Sequence, residues 1–395
     1  MMARRLTLEG TKGIGGGGMI IRTSEESLYR AEEALEQNKP TTALRFAQEA
    51  VRQDPNNLDA IMIVIRYLKL PEAIRTLEAA EASGRAFLEA KSGNDVFQTP
   101  VRNFFWGTLM TRPYVRLVKM LIGLAYDDKQ FELAARMSVQ ALRICPEDSF
   151  GQHVPLTSLL VRLERYADAL SLCQKWITAS ESSSPLDVII PMSPRPELGG
   201  TAFDPPHREL LSVVDMDSMI ANRQKEEGVQ GAVVHNAALS TFKLWGDCPQ
   251  SRQYLELAAR INPLILFKIL GQITVPKRPS AQMRIPNGAE DAQSYLWRSQ
   301  ELWMKPDVWD WANANENVRV CVRRICSGCE HAESAVAAFK RCAGCHLVSY
   351  CGSTCQKANW RTHKEACKKH QEKKDSIRAF GAKVPRKKKT TTASE

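Results

Sequence analysis

Between Cys326 and Cys367, seven cysteines and one histidine fall into four pairs: Cys326-x2-Cys329, Cys342-x2-Cys345, Cys351-x3-Cys355 and His363-x3-Cys367. Eight ligand-type residues at these spacings supply two tetrahedral zinc sites with none left over. The chain of 395 residues has 11 cysteines, and seven crowd into this one stretch. So short a segment cannot bury enough apolar surface to fold unaided. Two structural Zn2+ ions fill that gap, since each contributes on the order of 10–16 kcal/mol in small finger peptides. Cys321, His331, His346 and His370 lie nearby but off the spacing, and read as surface or packing residues. Cys145, Cys173 and Cys248 stand singly in helical segments, where a small buried hydrophobe is the default.

Geometry narrows which pairs share a metal. The run from Thr354 to Glu372 has no Gly or Pro and many strong helix formers, so it reads as a helix. On it His363 and Cys367 stand i, i+4, project from one face and can grip one ion. Cys355 lies eight residues earlier, about 12 Å along the axis at about 1.5 Å per residue. Ligands sit only about 2.0–2.3 Å from zinc, so the third and fourth pairs cannot share an ion. An interleaved pairing (first with third, second with fourth) and a nested one both remain.

The full spacing, with Tyr350-Cys351, Cys355-Gln356 and Trp360 inside it, resembles the MYND-type zinc finger over residues 326–367. The resemblance implies the interleaved arrangement: Cys326, Cys329, Cys351 and Cys355 on one zinc, and Cys342, Cys345, His363 and Cys367 on the other. Both sites are then closed, without an open position for water or substrate, and the metal is structural. MYND fingers grip short proline-rich peptides, often of Pro-x-Leu-x-Pro type, which are already extended and lose little entropy on docking. The groove-lining positions implied here are Gln356, through its side-chain amide, and Trp360, as an apolar wall, beside the strand of Tyr350. Where a small polar residue often stands between the second pair of cysteines, this chain has Ala343, a departure from the peptide-binding pattern.

Beyond the finger, residues 368–395 carry ten Lys and Arg against Glu372, Asp375 and Glu395, and hold most of the chain's +10 formal charge. They read as a disordered basic tail in which Pro385-Arg-Lys-Lys-Lys389 has the composition of a nuclear localisation signal. No aromatic residues interleave with the lysines for base stacking, so any nucleic-acid contact is weak and charge-driven. Residues 1–24 read as a Gly-rich leader; Gly15 to Gly18 are not followed by Gly-Lys-Ser/Thr, so this is not a phosphate loop. No apolar stretch approaches 18 residues, which argues against membrane spanning, and reduced cysteines with zinc fit the nucleus or cytoplasm.

Residues 25–311 read as consecutive helices. A small residue, another seven positions later and a proline five further on recur as Ala43, Ala50, Pro55; Ala134, Ala141, Pro146; and Ser251, Ala258, Pro263. Small residues let paired helices approach closely, and the proline ends the second helix of each pair. This is tetratricopeptide (TPR) spacing, with Ala31 in register ahead of the first set and Tyr166 to Leu170 opening a further second helix. Trp106-Gly107, Thr111-Arg-Pro-Tyr114, Ile261-Asn-Pro263, Ala289 to Tyr295 and Trp303 resemble the TPR region of the suppressor-of-tumorigenicity-7 type, in order over about 35–311. Residues 180–210, rich in Ser and Pro, read as a loop interrupting the repeats, and Pro191 to Pro196 is itself a proline-rich segment that a groove could hold. Residues 312–325 read as a linker.

The fold class expected is therefore mainly α: a TPR-like helical repeat domain, a small two-zinc MYND finger and a disordered basic tail. The function expected is a protein-interaction adaptor, with the finger holding a proline-rich peptide and the helical repeats a second protein. The alternative is a transcriptional regulator touching nucleic acid through finger and tail. Some MYND fingers accompany lysine methyltransferase domains, but no SET-type Asn-His and Gly-containing motifs occur here. The chain is expected not to be an enzyme.

Overall fold

The computed structural model describes residues 22–93, 97, 104–145, 148, 151–179, 203–225, 228–280 and 285–382. The Gly-rich leader up to residue 21, Pro146, the Ser/Pro stretch 180–202 with Pro191 to Pro196, and residues 383–395 with Pro385 to Lys389 lie outside the described residues.

Small residues decide how the first helices pair. Helix α1 (Arg22–Glu36) lies antiparallel on α2 (Pro40–Gln53), burying Ala31 in one cluster with Ala47 and Ala50, and Ala43 is buried as well. Ser24 Oγ donates to the Ala50 carbonyl at 2.8 Å, a contact that needs close backbones. Pro40 opens α2 at its first turn, where no amide hydrogen is missed. The turn between them is a left-handed Asn38 (φ 58°), with the Lys39 amide donating back to Ala34 O at 2.8 Å.

The same turn recurs. After α3 (Leu58–Val64), α4 (Leu70–Ser92) and the short α5 (Phe104–Gly107) come α6 (Arg112–Asp127) and α7 (Phe131–Ile144), joined through Lys129 (φ 61°) with Gln130 N donating to Ala125 O at 2.8 Å. Helices α8 (His153–Arg162) and α9 (Tyr166–Ala179) are joined through Glu164 (φ 58°) with Arg165 N donating to Leu160 O at 2.9 Å. Each is a helix ended by one residue in the left-handed region and a hydrogen bond five residues back, the Schellman arrangement. Ala134, Ala141, Ser251 and Ala258, the other small residues of the spacing pattern, are all buried.

Beyond α10 (Val213–Asn222), helices α11 (Gly231–Trp245) and α12 (Pro249–Ile261) form a further hairpin, and Pro263 begins α13 (Pro263–Leu270). Ser251 does more than fill space. Its hydroxyl meets the amide of Cys248 at 2.9 Å while Cys248 Sγ accepts from its own amide, so the pair caps α12. Cys248 is thus a half-buried cap, whereas Cys145 and Cys173 are the buried hydrophobes expected.

One polar network fixes the packing of three helices in the core. Asn236 on α11 donates to Thr157 and Ser158 of α8, at 2.8 and 3.1 Å. It accepts at 3.1 Å from Tyr295 of α14 (Ala289–Trp303), whose hydroxyl takes the indole hydrogen of Trp303 at 2.8 Å. A fully bonded buried network of this kind specifies one arrangement of the helices.

The helices run on past residue 311. Helix α15 (Pro306–Ala314) and α16 (Glu316–Val322) occupy the stretch read as a linker, and Val318 and Val322 are buried against the main core. Asn315 caps α16 by accepting from Val318 N. The finger is docked on this body: Val336 and Ala337 pack on the helical core, and the Arg324 guanidinium lies 3.9 Å from the centre of the Phe267 ring. Among the described residues, no helix is long and apolar enough to cross a membrane.

Candidate metal centre and docking groove

The finger is held by few elements. Strand β1 (Lys340–Arg341) pairs antiparallel with β2 (Ser349–Tyr350), and Ser327 N donates to Ser349 O, tying the first cysteine turn to the hairpin. Helix α17 (Ser353–Ala382) follows at once. It is longer than the stretch 354–372 read from the sequence, because nothing breaks it before Gly381 and Pro385; the basic segment therefore begins on this helix.

Two sets of ligand atoms converge, each within 4.8 Å of one another: Cys326, Cys329, Cys351 and Cys355, and Cys342, Cys345, His363 and Cys367. The pairing is interleaved. In the first set Cys351 Sγ lies 3.6 Å from Cys326, 3.7 Å from Cys329 and 3.4 Å from Cys355. In the second, Cys342 and Cys367 sulfurs are 3.8 Å apart and Cys345 Sγ is 3.3 Å from His363 Nε2. A tetrahedron with Zn–S bonds of about 2.3 Å has sulfurs about 3.8 Å apart, and a nitrogen ligand shortens its edges slightly. Both sets fit zinc, and each supplies four protein ligands, so both sites are structural.

The charges also call for a dication. Burial works against the Cys326 thiolate, yet the amides of Cys351, Gly328 and Cys329 outweigh it and bring the thiol down to about 6. Cys342 is likewise lowered to about 6 against burial, chiefly by the Cys345 amide and His363. Their partners move the other way. The hydrogen bond to Cys351 pushes Cys355 up to about 12, and burial followed by Cys342 and Cys345 pushes Cys367 up to about 11. The four sulfurs of the first set and the three of the second cannot all ionise at such distances without a cation between them.

Two glycines and one acid, unmarked by the spacing, make this geometry possible. A Cβ on Gly328 would meet Cys355 Cβ and carbonyl O, both at 2.7 Å, and one on Gly344 would meet the Gln371 amide and Cys367 Sγ. Each glycine precedes the second cysteine of its pair and lets that turn lie flat on α17. Glu333 is buried, and its carboxylate accepts from the amides of Arg324 (3.0 Å), Ala337 (3.2 Å) and Phe339 (2.8 Å). It thereby closes the loop between the first two cysteine pairs. The only sign in the sequence was one acid among the small and apolar residues from Ala332 to Phe339.

Gln356 and Trp360 face a common groove of about 440 Å³, opposite Ala343 and Gly344 and extended along α17 by Lys364, Lys368 and Gln371. Trp360 is 42% exposed, and its ring stands edge-on to His363 at 6.0 Å. It rests on the second zinc site and leaves a face to solvent. Tyr350 is buried instead, donating to Asn359 Oδ1 at 2.9 Å, and does not line the groove. Cys321 and His346 lie outside both ligand sets, and His331 accepts or donates only locally, 3.0 Å from Cys329 O.

Comparison with known proteins agrees with this geometry. The MYND finger family's model matches residues 326–367. Histone-lysine N-methyltransferase ASHR1 of Arabidopsis thaliana is 42% identical over 43 residues, 11% of this chain and 8% of that protein. SET domain-containing protein 14 of Caenorhabditis elegans is 39% identical over 42 residues, 11% of this chain and 10% of that protein. The chain thus spans about a tenth of the length of these curated relatives. It carries a MYND finger, a zinc-binding protein-interaction module, after a mainly helical body.

Proposed function

We propose that this chain is a zinc-dependent adaptor: its finger docks a proline-rich, Pro-x-Leu-x-Pro-like peptide, and its TPR-like helical body holds a second protein. The observation that carries the reading is the groove between the Cys342–Cys345 turn and α17, with Gln356 offering an amide and Trp360 an open aromatic face. Such a pairing suits a pre-extended ligand that needs an apolar platform and one or two hydrogen bonds. Three helix hairpins closed by the same left-handed turn support a repeat scaffold. The match to methyltransferases stops at the finger, so their chemistry is not part of this proposal. Thiolate-rich zinc sites suit a reducing compartment, and the nucleus or cytoplasm is part of this proposal.

The test is calorimetric titration of the full zinc-loaded chain with a Pro-x-Leu-x-Pro peptide, alongside Trp360→Ala and Gln356→Ala. Saturable one-to-one binding, lost in Trp360→Ala while both zincs remain, is the expected result. Absence of binding by the intact chain overturns the finger's part in it.

A further inference from the structure

The groove has a charged end. Gln356, Trp360, Lys364 and Lys368 stand four residues apart along one row of α17, and all four line the groove, with Gln371 beyond them at the Gly344 turn. At about 1.5 Å per residue each step along this row is about 6 Å. A polyproline-type ligand advances about 3.1 Å per residue, so one step on the helix matches about two residues of ligand. The apolar platform is at one end of the row and two lysine ammonium groups are at the other. Lys364 has no carboxylate partner among the described residues. Lys368 has a single loose contact, 3.8 Å from the exposed Glu372. Among the described residues, no acidic side chain lines the groove.

We infer that the groove selects a bipartite peptide: a proline-rich segment seated on Trp360, with acidic residues two to four positions away that reach Lys364 and Lys368. This deepens the adaptor reading and rests on it. The lysines sit on the wall of a concave site and not on an open face, so an extended chain lying along α17 passes within their reach. Charge complementarity favours an acidic partner and rejects a basic one, which gives the site a means of choosing among the many proline-rich sequences a single aromatic wall would accept. A nucleic-acid strand is less well served, because the row offers one exposed ring and no second aromatic for successive bases.

The experiment uses the full zinc-loaded chain and four peptides sharing one Pro-x-Leu-x-Pro core: flanked by Glu on the N-terminal side, on the C-terminal side, by Gln on both sides, or by Lys on both. One Glu-flanked peptide is expected to bind about tenfold tighter than the Gln-flanked one, as two screened surface pairs allow. That gain should shrink with added salt and vanish in Lys364→Gln/Lys368→Gln, to which the Glu-flanked and Gln-flanked peptides should bind alike. If both Glu-flanked peptides bind no better than the Gln-flanked one, the inference fails while the adaptor reading stands. If no peptide binds, the adaptor reading itself fails. If a polythymidine strand competes as well as the best peptide and depends on the same lysines, the site reads charge alone and the inference is overturned.

Discussion

Replacing Gly328 by alanine should loosen one zinc site far more than the equivalent change loosens the other. The new methyl carbon would sit 2.7 Å from both Cys355 Cβ and Cys355 O, and 3.0 Å from Cys355 Cα. These atoms belong to the first turn of α17 and cannot swing aside, so either the cysteine turn or the helix must shift by most of an ångström. Overpacking of a rigid contact costs about 1–3 kcal/mol, and three clashing atoms in or next to the main chain place this case near the upper value. About 3 kcal/mol corresponds to a loss of about 150-fold in affinity for the zinc held by Cys326, Cys329, Cys351 and Cys355. Gly344→Ala meets the end of the flexible Gln371 side chain, which can rotate, and Cys367 Sγ at 3.0 Å. The loss expected there is about 1 kcal/mol, or about fivefold. A competition titration with a chromophoric chelator resolves the two metal equivalents of the wild type and of each variant. Equal losses in the two variants, or a greater loss in Gly344→Ala, would refute the reasoning.

Other outcomes follow from the same structure. With both zincs replaced by cadmium-113, NMR should show one all-sulfur resonance and one with a nitrogen ligand. Cys326→Ser should abolish the all-sulfur one, whereas nested pairing would remove the other. His235 is fully buried, and desolvation lowers its pKa from 6.5 to about 4 despite the bond to Gly231 O. The unfolded chain therefore takes up a proton first as pH falls, and stability present above about 6.5 is lost progressively toward 4, by about 3 kcal/mol in all. Denaturant midpoints at pH 7 and pH 5 should diverge by more in the wild type than in His235→Leu, and identical shifts would remove His235 as the cause.

Much of the site could be read from residue spacing, because zinc imposes distances that chain geometry must meet. The eight ligands, the helix carrying His363 and Cys367, and the separation of Cys355 from that pair all follow from rise per residue and bond length. Interleaving did not, since both pairings satisfy the local spacing; it is set by the β1–β2 hairpin, which lays Cys326 beside Ser349 through a long-range bridge. Gly328, Gly344 and Glu333 were invisible for a similar reason. Their roles depend on what lies across from them, Cys355, Gln371 and three loop amides, and not on their own neighbours in sequence. In the helical body, buried alanines at seven-residue spacing were readable, but the three left-handed turns were not. Asn38, Lys129 and Glu164 occupy them where glycine would be the sequence signal, so tertiary pairing of the helices overrides local preference. The stretch 312–325 looked like a linker because α16 is short and charged on one face; its burial comes from Val318 and Val322 meeting the core.

Peptide affinity measured before and after zinc is stripped from the full chain tests most directly whether the metal builds the groove. Far-ultraviolet circular dichroism recorded in parallel would report that the helical body is intact. Binding of a Pro-x-Leu-x-Pro peptide should disappear with the metal and return when two equivalents of zinc are restored. A metal-free chain that binds the peptide as tightly as the loaded one would contradict the account.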